Sequence, residues 1–235
     1  MAKGTYLLVC TAILGFVGTS RAAEQPPMAW HEDFQDHSDP LRFFNAVWHN
    51  YKRQPAATLM TVYRIAEENG NRYLAATYDH TRNRESLHLG YFFREKKRSL
   101  ENFPILSWRW RADHLPSTGP GVSPIEDTPV TVYVIFEKTL FSLKGVKFLW
   151  TPRSDSKKGL YKKEWSGMSF HILRTGRDPL GTWIDERIDL CALYRAQFDS
   201  DRCNSGIEYL GVLTDADQSA SKSAGAYDDF RWSQR

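Results

Sequence analysis

Apolar and polar residues alternate along most of the chain, which is the two-residue period of a β-strand with one buried face. Leu106, Trp108 and Trp110 are separated by single polar residues, and residues 130–136 carry Val or Phe at every second position. Clusters of Gly, Pro, Asn and Ser between such segments mark turns. The pattern predicts about ten strands, over residues 59–66, 72–77, 86–94, 106–111, 130–136, 146–151, 169–174, 182–189, 207–213 and 227–232.

One segment has the spacing of a helix instead. Its apolar residues recur at positions i, i+3, i+4 and i+8, and they are Leu190, Leu193, Tyr194 and Phe198. Asp189 precedes them as a plausible N-cap, and Asp39 caps a second helical turn predicted over residues 40–47. Many short strands with little helix predict an all-β fold, an antiparallel β-sandwich of jelly-roll type with one short helix. No linker or internal repeat divides the chain, so residues 23–235 are expected to form one domain.

The N-terminal segment has the pattern of a secretory signal peptide. Lys3 precedes an apolar run over residues 6–17, and Ser20 and Ala22 supply the small residues of a cleavage site. We expect cleavage after Ala22, or one residue later; an uncleaved anchor helix is the alternative. The run is short for a bilayer span, and no later segment resembles a transmembrane helix. The mature protein is therefore expected to be periplasmic or secreted, without a transmembrane segment.

Removal of residues 1–22 leaves Cys191 and Cys203 as the only cysteines of the mature chain. In an oxidising compartment such a pair is most simply a disulfide, and two independent buried thiols are the alternative. The net charge of +3 arises from 31 basic and 28 acidic residues, so charge gives no reason to expect a nucleic-acid partner. Aromatic residues make up 14% of the chain, which favours strands and flat binding surfaces.

Two arginines and several aromatic residues are candidates for ligand binding. If the tryptophans near Trp108 face the core, Arg109 and Arg111 project from the other face of the sheet, where they suit carboxylate, phosphate or sulfate groups. Alternatively they pair with acidic cross-strand neighbours such as Glu137 or Glu186. Aromatic side chains close to polar loops are candidates for stacking on sugar rings, with the core as their alternative place: Trp150, Tyr161, Trp165 and Trp183. Four lysines within residues 157–163 either attract an acidic polymer or belong to a solvated loop.

The carboxylates suggest a cation site more specifically than a hydrolytic pair. Asp215, Asp217 and Ser219 alternate in a loop after the strand at 207–213, and such oxygens suit calcium, with Asp228 or Asp229 contributing. The loop lacks the glycine and glutamate of an EF-hand, and an exposed turn is the alternative. No motif selects a carboxylate pair for glycoside hydrolysis, and the G-x-S-x-G and H-E-x-x-H motifs are absent from the chain.

The order of several motifs resembles a known family. The motifs are residues 103–111 with Ser-Trp-Arg-Trp-Arg, Asp127 ahead of residues 132–136, residues 147–150, 183–187, 189–198, 214–217 and 226–230. Together they resemble the DUF3047 family of exported bacterial proteins of unassigned function, over roughly residues 30–232. Residues 226–232 are also similar to the last strand of jelly-roll carbohydrate-binding modules, in which an aspartate of that strand often helps to hold a structural calcium ion.

These observations favour an exported β-sandwich that binds a glycan at the cell envelope and does not turn it over. The expected partner is an acidic polysaccharide or cell-wall glycan, and the expected cofactor is none or a structural calcium ion. One alternative is a glycoside hydrolase or polysaccharide lyase, which needs two carboxylates, or a basic residue such as His171 with an arginine, in one cleft. Another is an envelope structural or assembly factor with an apolar surface patch.

Overall fold

A computed structural model describes residues 26–93, 98–140, 142–164, 167–198 and 200–235 of the protein. The predicted signal peptide over residues 1–22 lies outside these ranges, and it stays a prediction. None of the helices among the described residues is long and apolar enough to cross a bilayer.

Two six-stranded sheets contain nearly all the regular structure. The first sheet has the order β10-β5-β12-β3-β2, and β1 pairs with β12 beyond the end of β3. Its strands are β1 (Met28–Glu32), β2 (Tyr63–Glu68), β3 (Asn71–Asp79), β5 (Ile105–His114), β10 (Ile184–Asp189) and β12 (Lys222–Ser233). The second sheet has the order β4-β11-β6-β7-β9-β8. Its strands are β4 (Leu89–Phe92), β6 (Val130–Lys138), β7 (Leu143–Trp150), β8 (Gly159–Lys163), β9 (Met168–Arg174) and β11 (Tyr209–Leu213).

The main hydrophobic core lies between the two sheets. Trp108 of β5 packs on Phe148 of β7 with ring centroids 5.4 Å apart, and Trp110 packs on Trp150 at 6.2 Å. Alternate residues of each facing strand supply this layer, as the two-residue period requires. The predicted fold class is confirmed: the protein is an all-β sandwich of jelly-roll type.

The local differences from the predicted elements have identifiable causes. Pro55 precedes a helical turn, α2 (Ala56–Leu59), so the strand predicted at 59–66 begins only at Tyr63. The strands β1 and β8 were not predicted, since β1 is short and every residue of β8 is exposed. Pairing is antiparallel except between β7 and β9, which run parallel because β8 lies on the far side of β9.

Both predicted helix starts are confirmed by hydrogen bonds. The Asp39 carboxylate accepts from the backbone N–H of Arg42 at 3.1 Å and caps α1 (Pro40–Arg42), which continues as a π-helical turn over Phe43–Val47. The Asp189 carboxylate accepts from the N–H of Ala192 at 2.9 Å, at the start of α3 (Leu190–Phe198). Side-chain oxygens thus satisfy N–H groups that the first helical turn leaves unpaired.

The predicted disulfide is present between Cys191 of α3 and Cys203, which are 12 residues apart. Both residues are buried, and the bond ties α3 to the segment that leads into β11. The short loop that it closes restricts the unfolded chain more than the folded one.

Replacing both Cys191 and Cys203 by alanine is expected to lower the free energy of unfolding by roughly 3 kcal/mol, because the unfolded chain regains its loop entropy. Urea denaturation of the oxidised protein and the variant measures the difference. Reductant should shift the parent protein towards the variant and leave the variant unchanged. Equal midpoints without reductant would contradict the expectation.

Candidate functional site

The outer face of the second sheet carries a cleft with an apolar floor. Strands β6, β7, β9 and β11 send alternate side chains away from the main core, and these form a second buried cluster. Its members are Tyr133, Ile135, Leu149, Met168, Phe170, Tyr209 and Leu213. Glycine at 211 is needed here, because a Cβ atom would lie 2.3 Å from Cζ of Tyr133. The absence of a side chain at residue 211 therefore leaves room for the rings of Tyr133 and Tyr209.

Loops around this floor enclose two adjoining cavities of about 620 and 430 Å³. Both cavities are lined by His88, Lys147, Glu164 and Phe170, so they form one continuous cleft. Tyr51 borders the larger cavity, which we call the Tyr51 end of the cleft. Cavities of this size are typical of small-molecule and oligomer binding sites.

Lys147 stands in the middle of the cleft floor. Its Nζ lies 5.5 Å from the ring centroid of Phe170 and 6.0 Å from that of Tyr133. No carboxylate of the described residues lies within ion-pair distance of this amine. Burial lowers the pKa of Lys147, although Asp215 and Glu164 oppose the shift by attraction. The cleft thus presents a partly desolvated cation with capacity for an anionic partner.

His88 belongs to a chain of hydrogen bonds beside this lysine. Its Nδ1 lies 3.1 Å from the hydroxyl of Tyr133, which donates to the hydroxyl of Tyr209 at 3.3 Å. Tyr209 in turn donates to the carbonyl of His49 at 3.5 Å. Burial, together with the positive charges of Lys147 and Lys52, lowers the pKa of His88 to about 4. The imidazole is therefore neutral at physiological pH.

The opposite end of the cleft is acidic. Carboxylate oxygens of Asp127, Asp215 and Asp217 lie within 4.8 Å of one another. Asp127 accepts from the backbone N–H of Gln218 at 3.2 Å and of Ser219 at 2.6 Å. Burial raises the pKa of Asp215 to about 7, and the charges of Asp217 and Asp127 add to the shift. We call this group the aspartate end of the cleft.

Strand order explains how these aspartates meet. Asp127 precedes β6 and Asp215 follows β11, and in an antiparallel pair the start of one strand lies beside the end of the other. The N–H of Asp215 donates to the carbonyl of Thr128 at 3.0 Å and joins the two segments. Asp228, which was expected to join Asp215 and Asp217 as a calcium ligand, does not lie near them. It is buried on the first sheet beside Arg109 and Asn71. Asp127 occupies the place expected of Asp228.

The aromatic candidates for sugar stacking separate into different environments. Trp150 is fully buried between the sheets, and its Nε1 donates to the carbonyl of Thr175 at 3.0 Å, so it presents no face to a ligand. Of the two places expected for Trp150, a sugar-binding surface or the core, the core is the correct one. Tyr161 is 47% exposed and borders the smaller cavity. Trp183 lies on the first sheet, and Trp165 lies outside the described residues.

Arg109 and Arg111 project from the outer face of the first sheet, as the alternation predicts. Both guanidinium groups lie 5.0 Å from the ring centroid of Trp183. Each arginine pairs with carboxylates: the partners are Asp228 and Asp229 for Arg109, and Glu68 and Asp113 for Arg111. Acidic pairing, the alternative from the sequence, is thus present with partners other than Glu137 or Glu186. The cluster borders a cavity of about 350 Å³ on the sheet opposite the cleft.

Sequence patterns did not single out the residues at the centre of the cleft. His171, the histidine considered for catalysis, packs on the core residue Phe148 at 6.1 Å and is not among the residues that line the cleft. His88 and Lys147 lie there instead. A signal was present in residues 130–136, whose odd positions carry Tyr133 and Ile135 rather than charged groups.

The family model described as "Protein of unknown function (DUF3047)" matches residues 46–231. The chain belongs to this family. No curated protein matches the DUF3047 chain in sequence.

Several solved structures align with this DUF3047 protein at low similarity. Trichoderma harzianum endoglucanase 3 from family GH12 aligns with a TM-score of 0.42 and 9% identity, over 74% of this chain and 83% of that one. The xyloglucanase domain of NopAA from Sinorhizobium fredii aligns with a TM-score of 0.38 and 12% identity, over 69% and 81%.

The aspartate end predicts an unusual dependence of stability on pH. The folded pKa of Asp215, about 7, lies above its ordinary value of 3.8, so folding binds a proton. The free energy of unfolding should therefore fall as pH rises from about 4 through about 7, by up to roughly 4 kcal/mol. Urea denaturation across this range measures the slope.

Asp215→Asn should remove this dependence, because the amide does not ionise there. The exposed Asp185 provides the matched control, since Asp185→Asn should preserve the slope. Stability that rises with pH in the parent protein would contradict the assignment.

Proposed function

We propose that this DUF3047 protein is exported and binds an acidic glycan at the cell envelope, in the cleft of the second sheet. The observation that carries the proposal is the Lys147 ammonium, which lies between two aromatic rings and has no carboxylate in ion-pair distance among the described residues. Sugar rings have apolar C–H faces and polar edges, and this combination of aromatic surface and cation is complementary to both.

Exposed aromatic rings extend the surface beyond the floor of the cleft. Tyr51 is 42% exposed at one end and Tyr161 is 47% exposed beside the other cavity. The ammonium of Lys138 lies 3.9 Å from the ring centroid of Tyr51 and adds positive charge at that end. Rings at both ends suit a chain of several sugar units better than a single one.

The proposed location rests on two observations. The disulfide between Cys191 and Cys203 is typical of oxidising compartments such as the periplasm or the exterior. The sequence of residues 1–22 has the pattern of a cleavable signal. Together they favour export to the envelope, where acidic polysaccharides and cell-wall glycans are accessible.

Lys147→Met is expected to weaken binding of a glucuronate-containing oligosaccharide about tenfold to a hundredfold, since a charge-assisted hydrogen bond contributes roughly 1.5–3 kcal/mol. Calorimetry on the mature protein measures the change. Lys157→Met is the matched control, because Lys157 is exposed and outside the cleft lining, and it should bind like the parent protein.

Neutral cello-oligosaccharides test the acidic component separately. They should bind more weakly than uronate oligosaccharides and respond less to Lys147→Met. If the parent protein binds neither class, the proposed function is wrong. If neutral oligosaccharides bind more tightly, the glycan is not an acidic one.

A further inference from the structure

We propose that the cleft also cleaves its glycan by β-elimination next to a uronate, with His88 as the base and Lys147 as the cation that holds the uronate carboxylate. The inference rests on the proposed function, because cleavage requires that an acidic glycan occupies the cleft. It departs from the non-catalytic expectation drawn from the sequence. The reason is that a base and a cation, which the sequence did not bring together, line the same cavities.

The hydrogen-bond chain determines which nitrogen of His88 is available. Tyr133 gives its hydroxyl hydrogen to Tyr209, and Tyr209 gives its own to the carbonyl of His49. The oxygen of Tyr133 therefore accepts from Nδ1–H of His88. In a neutral imidazole with hydrogen on Nδ1, the lone pair is on Nε2, which no described residue engages in a hydrogen bond. Within the described part of the chain, this basic nitrogen of His88 has no hydrogen-bond partner.

The cation lies next to this base. The imidazole of His88 stands almost perpendicular to the ring of Tyr133, at an interplanar angle of 87° and a centroid distance of 5.5 Å. Nζ of Lys147 lies 6.0 Å from the centroid of the same ring. In a uronate, C5 carries both the carboxylate and the proton to be removed. Both side chains border the ring of Tyr133, so the proposal places the uronate unit over this ring.

The reaction balances with these two side chains alone. Nε2 takes the proton from C5, the electron pair of that bond forms the C4=C5 double bond, and the bond from C4 to its glycosidic oxygen breaks. The imidazolium returns its proton to the departing oxygen, which becomes the reducing-end hydroxyl of the other fragment. The ammonium of Lys147 stabilises the negative charge that grows on the carboxylate as the C5–H bond breaks.

Binding of the substrate also changes the electrostatic field at the base. Burial is the largest cause of the low pKa of His88, and the positive field of Lys147 and Lys52 adds to it. A carboxylate paired with Lys147 neutralises part of that field, so the contribution of Lys147 to the low basicity of the imidazole decreases when substrate is present.

The use of one nitrogen for both proton transfers restricts the substrate class. The C5–H bond and the C4–O bond must lie on the same face of the sugar ring. Glucuronate and mannuronate units linked through O4 meet this condition, whereas galacturonate places the two bonds on opposite faces. The structure therefore favours the gluco and manno configurations.

The test incubates the mature protein with polymannuronate, a glucuronate-containing polymer and polygalacturonate. Ultraviolet absorbance of the C4=C5 uronate follows cleavage, mass spectrometry weighs the fragments, and calorimetry measures binding separately. We expect absorbance with the first two polymers and fragments that together weigh as much as the substrate. His88→Gln should retain binding and lose at least about a hundredfold in rate, as is typical for removal of a general base. His171→Gln is the matched control and should cleave at the parent rate.

The outcomes separate the two proposals. Binding of the uronate polymers without absorbance overturns the elimination and leaves the proposed function standing. Fragments heavier by one water indicate hydrolysis and also overturn it. A His88→Gln variant that cleaves at the parent rate excludes His88 as the base. Absence of binding to all three polymers overturns the proposed function and the elimination together.

Discussion

The central strands β6 and β11 of the second sheet are buried on both faces, and the architecture of the site depends on this constraint. Strand β6 is buried at seven successive positions, and β11 along its whole length. The inner face packs against the first sheet, while the outer face forms the floor of the cleft. By contrast, β5 of the first sheet alternates between buried and half-exposed residues along most of its length. The first sheet therefore contributes only its inner face to the core. The second sheet contributes its inner face to the core and its outer face to the protected floor of the cleft.

A protected surface changes the chemistry of any charged group placed on it. Lys147 occupies a position on β7 whose neighbours on the same face, Gly145 and Leu149, are apolar. Burial disfavours the charged form of Lys147, because the ammonium loses part of its hydration. A bound anion therefore stabilises this ammonium more than it would stabilise that of an exposed lysine. On the first sheet, Arg109 and Arg111 have the same outward position but keep acidic partners. Their charges are already satisfied within the protein.

The fold could be predicted because its signal is local. Three predictions that depend on residues close in sequence are confirmed. They are the alternation near Trp108, the helix cap at Asp189 and the disulfide between Cys191 and Cys203. The cleft could not be predicted in the same way. Asp127 meets Asp215 only because β6 and β11 are neighbours in the sheet. The two-residue alternation of a strand does not reveal which other strand lies beside it.

Burial on both faces explains the remaining errors. Trp150 was a candidate for sugar stacking because polar loops follow it, but its parity along β7 directs it into the core. Lys147 lies three residues earlier, has the opposite parity and therefore reaches the cleft. The continuous apolar run at 132–136 indicates a strand covered on both sides, and this feature distinguishes a second buried face from a solvated one.

The two ends of the cleft differ in charge, which gives a bound chain a direction. Lys138 makes the Tyr51 end attractive to anions, Lys147 lies between the two ends, and Asp215 repels anions at the aspartate end. An acidic glycan therefore gains most when a carboxylate pairs with Lys147 and a neutral unit lies against the aspartates. Among polymers with the required configuration, this arrangement favours one in which acidic and neutral units alternate over one with a carboxylate on every unit, such as polymannuronate.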